Sequence, residues 1–286
     1  MAKPRVLILG NLTKPGVAEQ MEGLRGWLAE QADVLTIQSH TGELPAGAAK
    51  AVLCVVFGGD GTLLSAGRDL AALGVPLLGV NLGKLGFLAE YSVADLRRHF
   101  PDVLAGRVAP VERIMLAVTL WSCPKGQARE KQFTALASND VAVAAGDPFR
   151  MIDLHVHQGD QHLARYFGDG VVISTPTGST GYNMSVGGPI LQPTLEAVVI
   201  SPVAPHTLSL RPMVLSPSPP LHITAGRVNE GTKMVIDGQI SHRLCDGQTV
   251  EVGRADVSLR IVPLPGRHYF QTLAEKLHWG RSPHHK

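Results

Sequence analysis

Residues 51–62 read AVLCVVFGGDGT, seven apolar residues that run straight into a glycine turn. An unbroken apolar run of this length has no polar face, so it predicts a strand covered on both sides, as in the middle of a parallel sheet. The glycines that follow allow positive φ and a close approach of backbone to a ligand. A helix is expected next, from Thr62 to Leu73, and its free N–H groups and positive dipole end would face the same turn. Asp60 sits inside that turn, where a carboxylate would repel phosphate. Two readings stand: Asp60 caps the helix, or it has a chemical role, either taking a proton from an attacking hydroxyl or holding a metal. The turn lacks the GK[ST] of a P-loop and is not GxGxxG.

Outward from this strand, the first third of the chain alternates strand and helix. Val6–Leu9, Val34–Ile37 and Val75–Val80 read as strands. Val17–Gln31 has helical spacing, with Val17, Met21, Leu24 and Leu28 on one face. Ser92 and Asp95 form a capping-box pattern that opens a helix to about Leu104. The order predicts a parallel sheet with helices on both sides.

After Pro110 short strand-like segments dominate: Ile114–Leu120, Phe133–Leu136, Val141–Ala144, Ile152–His157, Gln161–Tyr166, Val171–Ser174, Ala197–Ile200, Leu221–Thr224, Met234–Ile236, Thr249–Val252 and Val257–Val262. Turn residues separate them, so an antiparallel β domain is expected. Ser216–Pro220 reads as a turn or connector. The end, Tyr269–Trp279, has a helical pattern expected to pack back on the first domain. The predicted fold is therefore an α/β N-terminal domain with a parallel, Rossmann-like sheet (1–110, completed by a helix over 268–280). An antiparallel all-β C-terminal domain covers 111–267.

Composition narrows the function. Of 286 residues, 44% are hydrophobic and 17% charged, which is globular and not disordered. A net charge of +2 offers no basic face for nucleic acid. No apolar run approaches the ~18 residues of a membrane helix, and the N-terminal run is too short for a signal peptide. Cys54, Cys123 and Cys245 form no CxxC pair, which argues against disulfides and structural zinc and for a cytoplasmic setting. His155 and His157 share a strand face but lack a third ligand. His284 and His285 fall in a tail expected to fray. Lys84 either reaches phosphate or lies on a surface loop, and His206 has no assigned role.

A second glycine-rich segment, 168–191, reads GDGVVISTPTGSTGYNMSVGGPIL. A strand runs into a loop whose hydroxyls, on Thr175, Thr177, Ser179 and Thr180, can each donate or accept. Gly178 and Gly181 permit close approach, and Tyr182 offers an aromatic face for a base. A short helix is expected near Ser179. So many small hydroxyl residues beside one aromatic favour a ligand site.

At this point the chain resembles the NAD kinase family. Five blocks occur in the family's order: Gly58-Gly59-Asp60-Gly61-Thr62, Asn81 through Leu88 (NLGKLGFL), Asn139-Asp140, Gly168 through Ile190, and Pro205-His206-Thr207-Leu208 with Arg211-Pro212. The 268–279 segment also looks like the family's closing helix. GGDG alone is shared with diacylglycerol kinases, sphingosine kinases and phosphofructokinases, whereas TPTGST together with NxGxLGFL is specific. The resemblance implies phosphoryl transfer from ATP, another nucleoside triphosphate or polyphosphate to the adenosine-ribose 2′-hydroxyl of NAD, giving NADP. It implies Asp60 as the general base, with Gly59 and Gly61 facing the donor phosphates or the NAD pyrophosphate, and Thr62 and Leu88 among the residues that bind NAD or ATP. Asn139 and Asp140 would bind ribose, and Thr177, Thr180, Gly181 and Tyr182 the adenine end. Asp169 and Asp237 would lie toward the nicotinamide, and Mg²⁺ or another divalent cation would accompany ATP, with no metal cage evident in the chain. A cleft between domains would hold NAD, and a homo-oligomer, dimer or tetramer, is expected. Neither nucleic acid nor membrane is an expected partner.

Two departures from the family pattern stand out. Asp140 replaces the usual Glu, so its side chain is one methylene shorter. Gly181 replaces the usual Ala before Tyr182, which leaves more room beside the adenine. A lipid kinase shares GGDGT, but the polar TPTGSTGY loop argues against an apolar channel. A regulatory NAD(P)-binding protein would not need Asp60.

Overall fold

In the computed structural model, residues 3–39, 44–83, 86–122, 128–148 and 150–280 are described. Lys84, Leu85, Cys123, His284 and His285 lie outside them. The chain forms two compact units, one of residues 1–112 with 259–286 and one of residues 113–258.

The first unit is α/β. Its parallel strands β1 (Arg5–Gly10), β2 (Asp33–Ser39), β3 (Leu53–Phe57) and β4 (Leu77–Val80) run in the order β2-β1-β3-β4. Ile261 extends this parallel register beside Leu77. Every residue of β3 is buried, as its continuous apolar sequence requires. Helix α1 (Val17–Gln31) buries Val17, Met21, Leu24 and Leu28, the face set by its periodicity. These side chains share a cluster with Val6, Ile8, Val55, Phe57, Leu78 and Val80, and with Leu96 and Phe100 of helix α3 (Val93–Leu104). The capping box that opens α3 is formed: the Ser92 hydroxyl accepts from Asp95 N–H, and the Asp95 carboxylate accepts from Ser92 N–H.

Helix α2 (Asp60–Leu70) links β3 to β4 and begins two residues earlier than the sequence reading, at Asp60 itself. Chain order takes β1→β2 and β3→β4 in opposite directions across the sheet. The point between β1 and β3 is therefore the topological switch of the unit. The closing helix, Tyr269–Leu277, buries Thr272 and Leu273.

The second unit is antiparallel. One sheet has strands β7 (Asp140–Ala144), β10 (Gly170–Ser174), β11 (Val198–Val203), β12 (Met213–Leu215), β14 (Lys233–Ile236) and β15 (Ile240–Arg243), in the order β12-β11-β10-β7-β14-β15. The other joins β5 (Val111–Ser122), β6 (Glu130–Ala137), β8 (Ile152–Gln158), β9 (Gln161–Gly168) and β13 (Leu221–Arg227) with the first half of β16 (Thr249–Ile261). Side chains from both sheets fill one core, among them Leu116, Val141, Ile173, Ile200, Ile223 and Val250.

The pair of strands expected at Thr249–Val252 and Val257–Val262 is one strand. Gly253 does not break it; a Cβ there would lie 3.1 Å from Pro220 Cβ, so the glycine admits a neighbour. Strands β12 and β15 had no counterpart in the sequence reading. Among the described residues no helix is long and apolar enough to cross a membrane.

Candidate functional site

The glycine turn after β3 places Asp60 as the first residue of α2, with Gly59 as N-cap. The Asp60 carboxylate does not cap the helix. It points instead to the segment after β4, where three consecutive amides donate to it. Phe87 N–H donates to Oδ2 at 2.7 Å, and Leu88 and Ala89 N–H donate to Oδ1 at 3.0 Å each. The amides converge because the segment turns on itself, Gly86 N–H donating to Ala89 O. Gly86 is needed for the approach, since a Cβ on it would fall 1.8 Å from Asp60 Oδ1. A carboxylate has about four acceptor positions. Three are filled here, and the open one is on Oδ2. Leu88, expected among the residues that bind NAD or ATP, donates its backbone N–H to Asp60, while its side chain is buried.

Around Asp60 the loop is built for close approach. Gly58 has φ 154° and lies against Thr62, whose Oγ1 would be 2.5 Å from a Cβ on it. Thr62 is buried and its Oγ1 has no hydrogen-bond partner. Gly59 and Asn81 line a cavity with Lys14, Gly58 and Gly83. Gly61 is exposed in the first turn of the helix.

The second unit repeats the device with another carboxylate. Asp237 accepts from the backbone N–H groups of Ser138, Asn139 and Asp140, the shortest contact being 2.7 Å from Asn139. Asp237 and Gly238 both have positive φ, 50° and 66°, in the three-residue link from β14 to β15, where Gln239 N–H donates to Ile236 O. The reading of Asp237 as a nicotinamide contact is therefore joined by a structural role: it holds the entry to β7 in place.

That entry carries the polar groups. Asn139 Oδ1, Ser138 Oγ and Thr177 Oγ1 are buried without a hydrogen-bond partner. Buried polar atoms are nearly always paired, so such a group calls for an explanation, and a ligand is one. Asp140 is 7% exposed, and burial, followed by the charge of Asp237, pushes its carboxyl up to about 7.

The TPTGST loop closes over this segment. Thr175 N–H donates to Asn139 O at 2.8 Å, and a Cβ on Gly178 would lie 2.2 Å from that same oxygen. No residue with a side chain fits at 178 without moving backbone. Two of the loop's four hydroxyls are used within the loop itself. Thr175 Oγ1 donates to Ser138 O and accepts from Gly178 N–H. Ser179 Oγ donates to Pro176 O and accepts from Leu191 N–H. Both build the loop, whereas Thr177 Oγ1 is buried without a partner and Thr180 is half-buried. Residues 177–180 form a 3₁₀ turn, and Tyr182 opens a single helical turn with 40% exposure. Gly181, between them, would place a Cβ 3.2 Å from Gly178 O and 4.0 Å from Asp140 Oδ2.

Asp169 is an exposed residue between two crowded glycines. A Cβ on Gly168 would meet Ala204 O at 2.7 Å, and one on Gly170 would meet Val143 O at 2.1 Å. Its backbone is fixed by bonds to Val203 O and from Ala145 N–H, so its carboxylate is presented outward from a rigid link. His155 lies 3.8 Å from the buried Asp153 carboxylate, and His157 packs edge-on against His162. His206 packs edge-on against Phe167. Among the described residues no three His, Cys, Asp or Glu side chains converge as metal ligands.

Comparison with known proteins covers both units. The ATP-NAD kinase N-terminal domain matches residues 36–108, and the ATP-NAD kinase C-terminal domain matches residues 138–264. The NAD kinase of Rhodopirellula baltica is 37% identical over 96% of this chain and 87% of its own. That of Heliobacterium modesticaldum is 36% identical over 97% of this chain and all of its own. Among solved structures, the yeast NADH kinase complexed with NADH superposes with a TM-score of 0.87 at 23% identity, covering 98% of this chain and 89% of its own. The NAD kinase from Archaeoglobus fulgidus in complex with ATP gives 0.72 at 24% identity, over 96% and 98%.

Proposed function

The chain belongs to the ATP-NAD kinase family, whose reaction phosphorylates NAD with ATP, and we propose that Asp60 is the residue that takes the proton in that reaction. The observation that carries this is its single open acceptor position. Three amides orient the carboxylate and leave Oδ2 one lone pair, which suits one hydroxyl donor.

The ribose 2′-hydroxyl is a poor nucleophile until its proton is accepted. As the proton moves to Asp60 Oδ2, the ribose oxygen bonds to the terminal phosphorus of ATP. The bond from that phosphorus to its bridging oxygen breaks, and the electrons leave with ADP. Base assistance of this kind contributes about 10²–10⁴-fold, and positioning supplies much of the rest.

NAD is bound by the second unit in this reading. Asn139 Oδ1 and Thr177 Oγ1 are buried and unpartnered, ready for ribose and adenine groups. The buried carboxyl of Asp140 gains a donor from a ribose hydroxyl. Thr180, Gly181 and Tyr182 border the adenine, and Asp169, fixed between its glycines, takes the nicotinamide side. Gly59, Gly61 and Thr62 serve the donor phosphates.

A divalent cation such as Mg²⁺ supplies charge neutralisation on the transferred group when bound. The described side chains form no cage for it, and the Asp60 carboxylate is engaged by amides. We therefore derive no step through a protein-held ion and take the cation as part of the donor substrate. A homo-oligomer is supported by the edge strand β12, where Met213 and Val214 are 46% and 48% exposed. Widely separated cysteines support a reducing cytoplasm.

Replacing Asn139 by Ala tests the NAD assignment. With NADP read by an NADP-specific dehydrogenase, KM for NAD rises by about 10-fold or more while KM for ATP stays within about twofold. An unchanged KM for NAD removes Asn139 from the site.

A further inference from the structure

At the end of the parallel sheet away from Asp60 lies a second cavity, of about 450 Å³. It sits where β3 and β4 begin, beside the end of α3 and the link from α3 to β5. Leu53, Pro76, Val103, Val108 and Val262 form much of its wall, and Arg260 is the one polar side chain among its described lining residues. All of these belong to the first unit. The five residues of β3, at about 3.3 Å each, put roughly 17 Å between this cavity and the turn that holds Asp60.

The backbone of the wall is already paired. The end of α3 closes on itself: Gly106 N–H donates to Val103 O and Arg107 N–H to Asp102 O, with Gly106 at φ 71° as the left-handed stop. Val52 N–H donates to Arg5 O, Cys54 N–H to Pro76 O, and Val262 N–H to Leu77 O, so the strand entrances are tied together. Arg260 is the exception. Its Nη1 donates to Gly74 O at 2.8 Å, which fixes the guanidinium, while its Nε is buried without a hydrogen-bond partner. The Glu112 carboxylate, 66% exposed, comes only to 3.9 Å from Nε. That is beyond hydrogen-bond reach, and so exposed an ion pair contributes little. A buried donor without an acceptor is costly, and a bound acceptor removes that cost.

We propose that this cavity binds a small monocarboxylate with an apolar body, at a site separate from the one around Asp60. Nε and Nη2 form the guanidinium edge that the Gly74 bond leaves open, and such an edge holds a carboxylate by two parallel bonds. Elsewhere in this chain the same edge of Arg165 holds the Asp153 carboxylate, at 2.7 and 2.6 Å. The ligand carboxylate takes the place of the distant, solvated Glu112, and its hydrocarbon covers Leu53, Val103 and Val108. Helix α3 and the 3₁₀ turn Ala71–Leu73 both end at this cavity, so their negative ends favour a single charge over the two of a phosphate ester. The volume falls within the range of small-molecule sites and admits a chain of about eight carbons. None of this depends on the role of Asp60.

The test is calorimetric titration of the whole chain with octanoate at neutral pH, beside 1-octanol as its uncharged match. One octanoate is expected to bind with a Kd of roughly 0.1–1 mM, as about ten non-hydrogen atoms allow. Octanol binds at least about 10-fold more weakly, and Arg260→Met weakens octanoate by about 10–100-fold. Ala109→Trp, at an exposed lining position, fills the cavity and abolishes binding. Thermal melts check the fold of both variants, and Ala109→Trp decides the matter alone if Arg260→Met does not fold. Saturating NAD or ATP leaves octanoate affinity within about twofold. The proposal is overturned by no octanoate binding up to about 10 mM, by equal affinity for octanol, or by parental affinity in either folded variant. Displacement of octanoate by NAD or ATP overturns it as well, since the ligand would then occupy the nucleotide site.

Discussion

Gly86→Ala is a one-carbon change aimed at the geometry of Asp60. A Cβ on residue 86 falls 1.8 Å from Asp60 Oδ1 and 2.7 Å from the carboxylate carbon. Neither side can yield easily. Asp60 is fixed as the first residue of α2, and residue 86 is fixed by the turn that aims the Phe87, Leu88 and Ala89 amides. Restoring ordinary contact takes a shift of roughly 1.5 Å, and a misplacement of about 1 Å costs on the order of 10²-fold in rate. We expect kcat to fall by about 10²–10³-fold, within the range that loss of a general base reaches. Loss of one of the charge-assisted bonds also lowers stability by roughly 1.5–3 kcal/mol. The assay follows NADP formation at saturating NAD and ATP, beside a thermal melt. A Gly86→Ala protein with kcat within about threefold of the parent would refute the claim that the amide cradle positions Asp60.

Three further outcomes follow from the second unit. Asp140 has a folded-state pKa raised from 3.8 to about 7, so the folded chain binds more protons than the unfolded chain across that window. Stability of the ligand-free protein therefore falls as pH rises from about 4 to 7, by on the order of 4 kcal/mol at most, at about 1.4 kcal/mol per pH unit. Asp140→Asn flattens that fall in a series of melts, and an identical slope in the variant contradicts the assignment. Ser179→Ala removes a hydroxyl used by Pro176 O and Leu191 N–H and costs about 1–3 kcal/mol of stability. Thr177→Val removes a hydroxyl that has no partner, so it leaves the melting temperature unchanged or higher while raising KM for NAD. Destabilisation of equal size in the Ser179 and Thr177 variants would erase the distinction between loop-building and ligand-facing hydroxyls.

Much of this was readable from residues alone where a physical pattern is local. The all-apolar β3, the Val17–Leu28 stripe and the Ser92–Asp95 box each follow from spacing, and each stands in the structure. Strand β15 was missed although Asp237-Gly238 is a hairpin signal, because Ile240–Arg243 alternates weakly and stays half exposed. Strand β12 has three residues and lies at an edge, too short for periodicity to register. Strand β16 was read as two segments, 249–252 and 257–262, while the reason for Gly253 between them, its contact with Pro220, is tertiary.

The site divided along the same line. Asp60, Asn139 and the TPTGST loop were visible as motifs. That Asp60 and Asp237 are each held by three successive amides was not, since the donors lie 27–29 and 97–99 residues away.

The most direct test of the central claim is NADP formation by Asp60→Asn, measured beside its equilibrium binding of NAD. The amide side chain keeps the size of the carboxylate but cannot take the proton. NAD binding is expected within a few-fold of the parent and turnover lower by at least about 10²-fold. Turnover near that of the parent, from a variant that binds NAD normally, would contradict it.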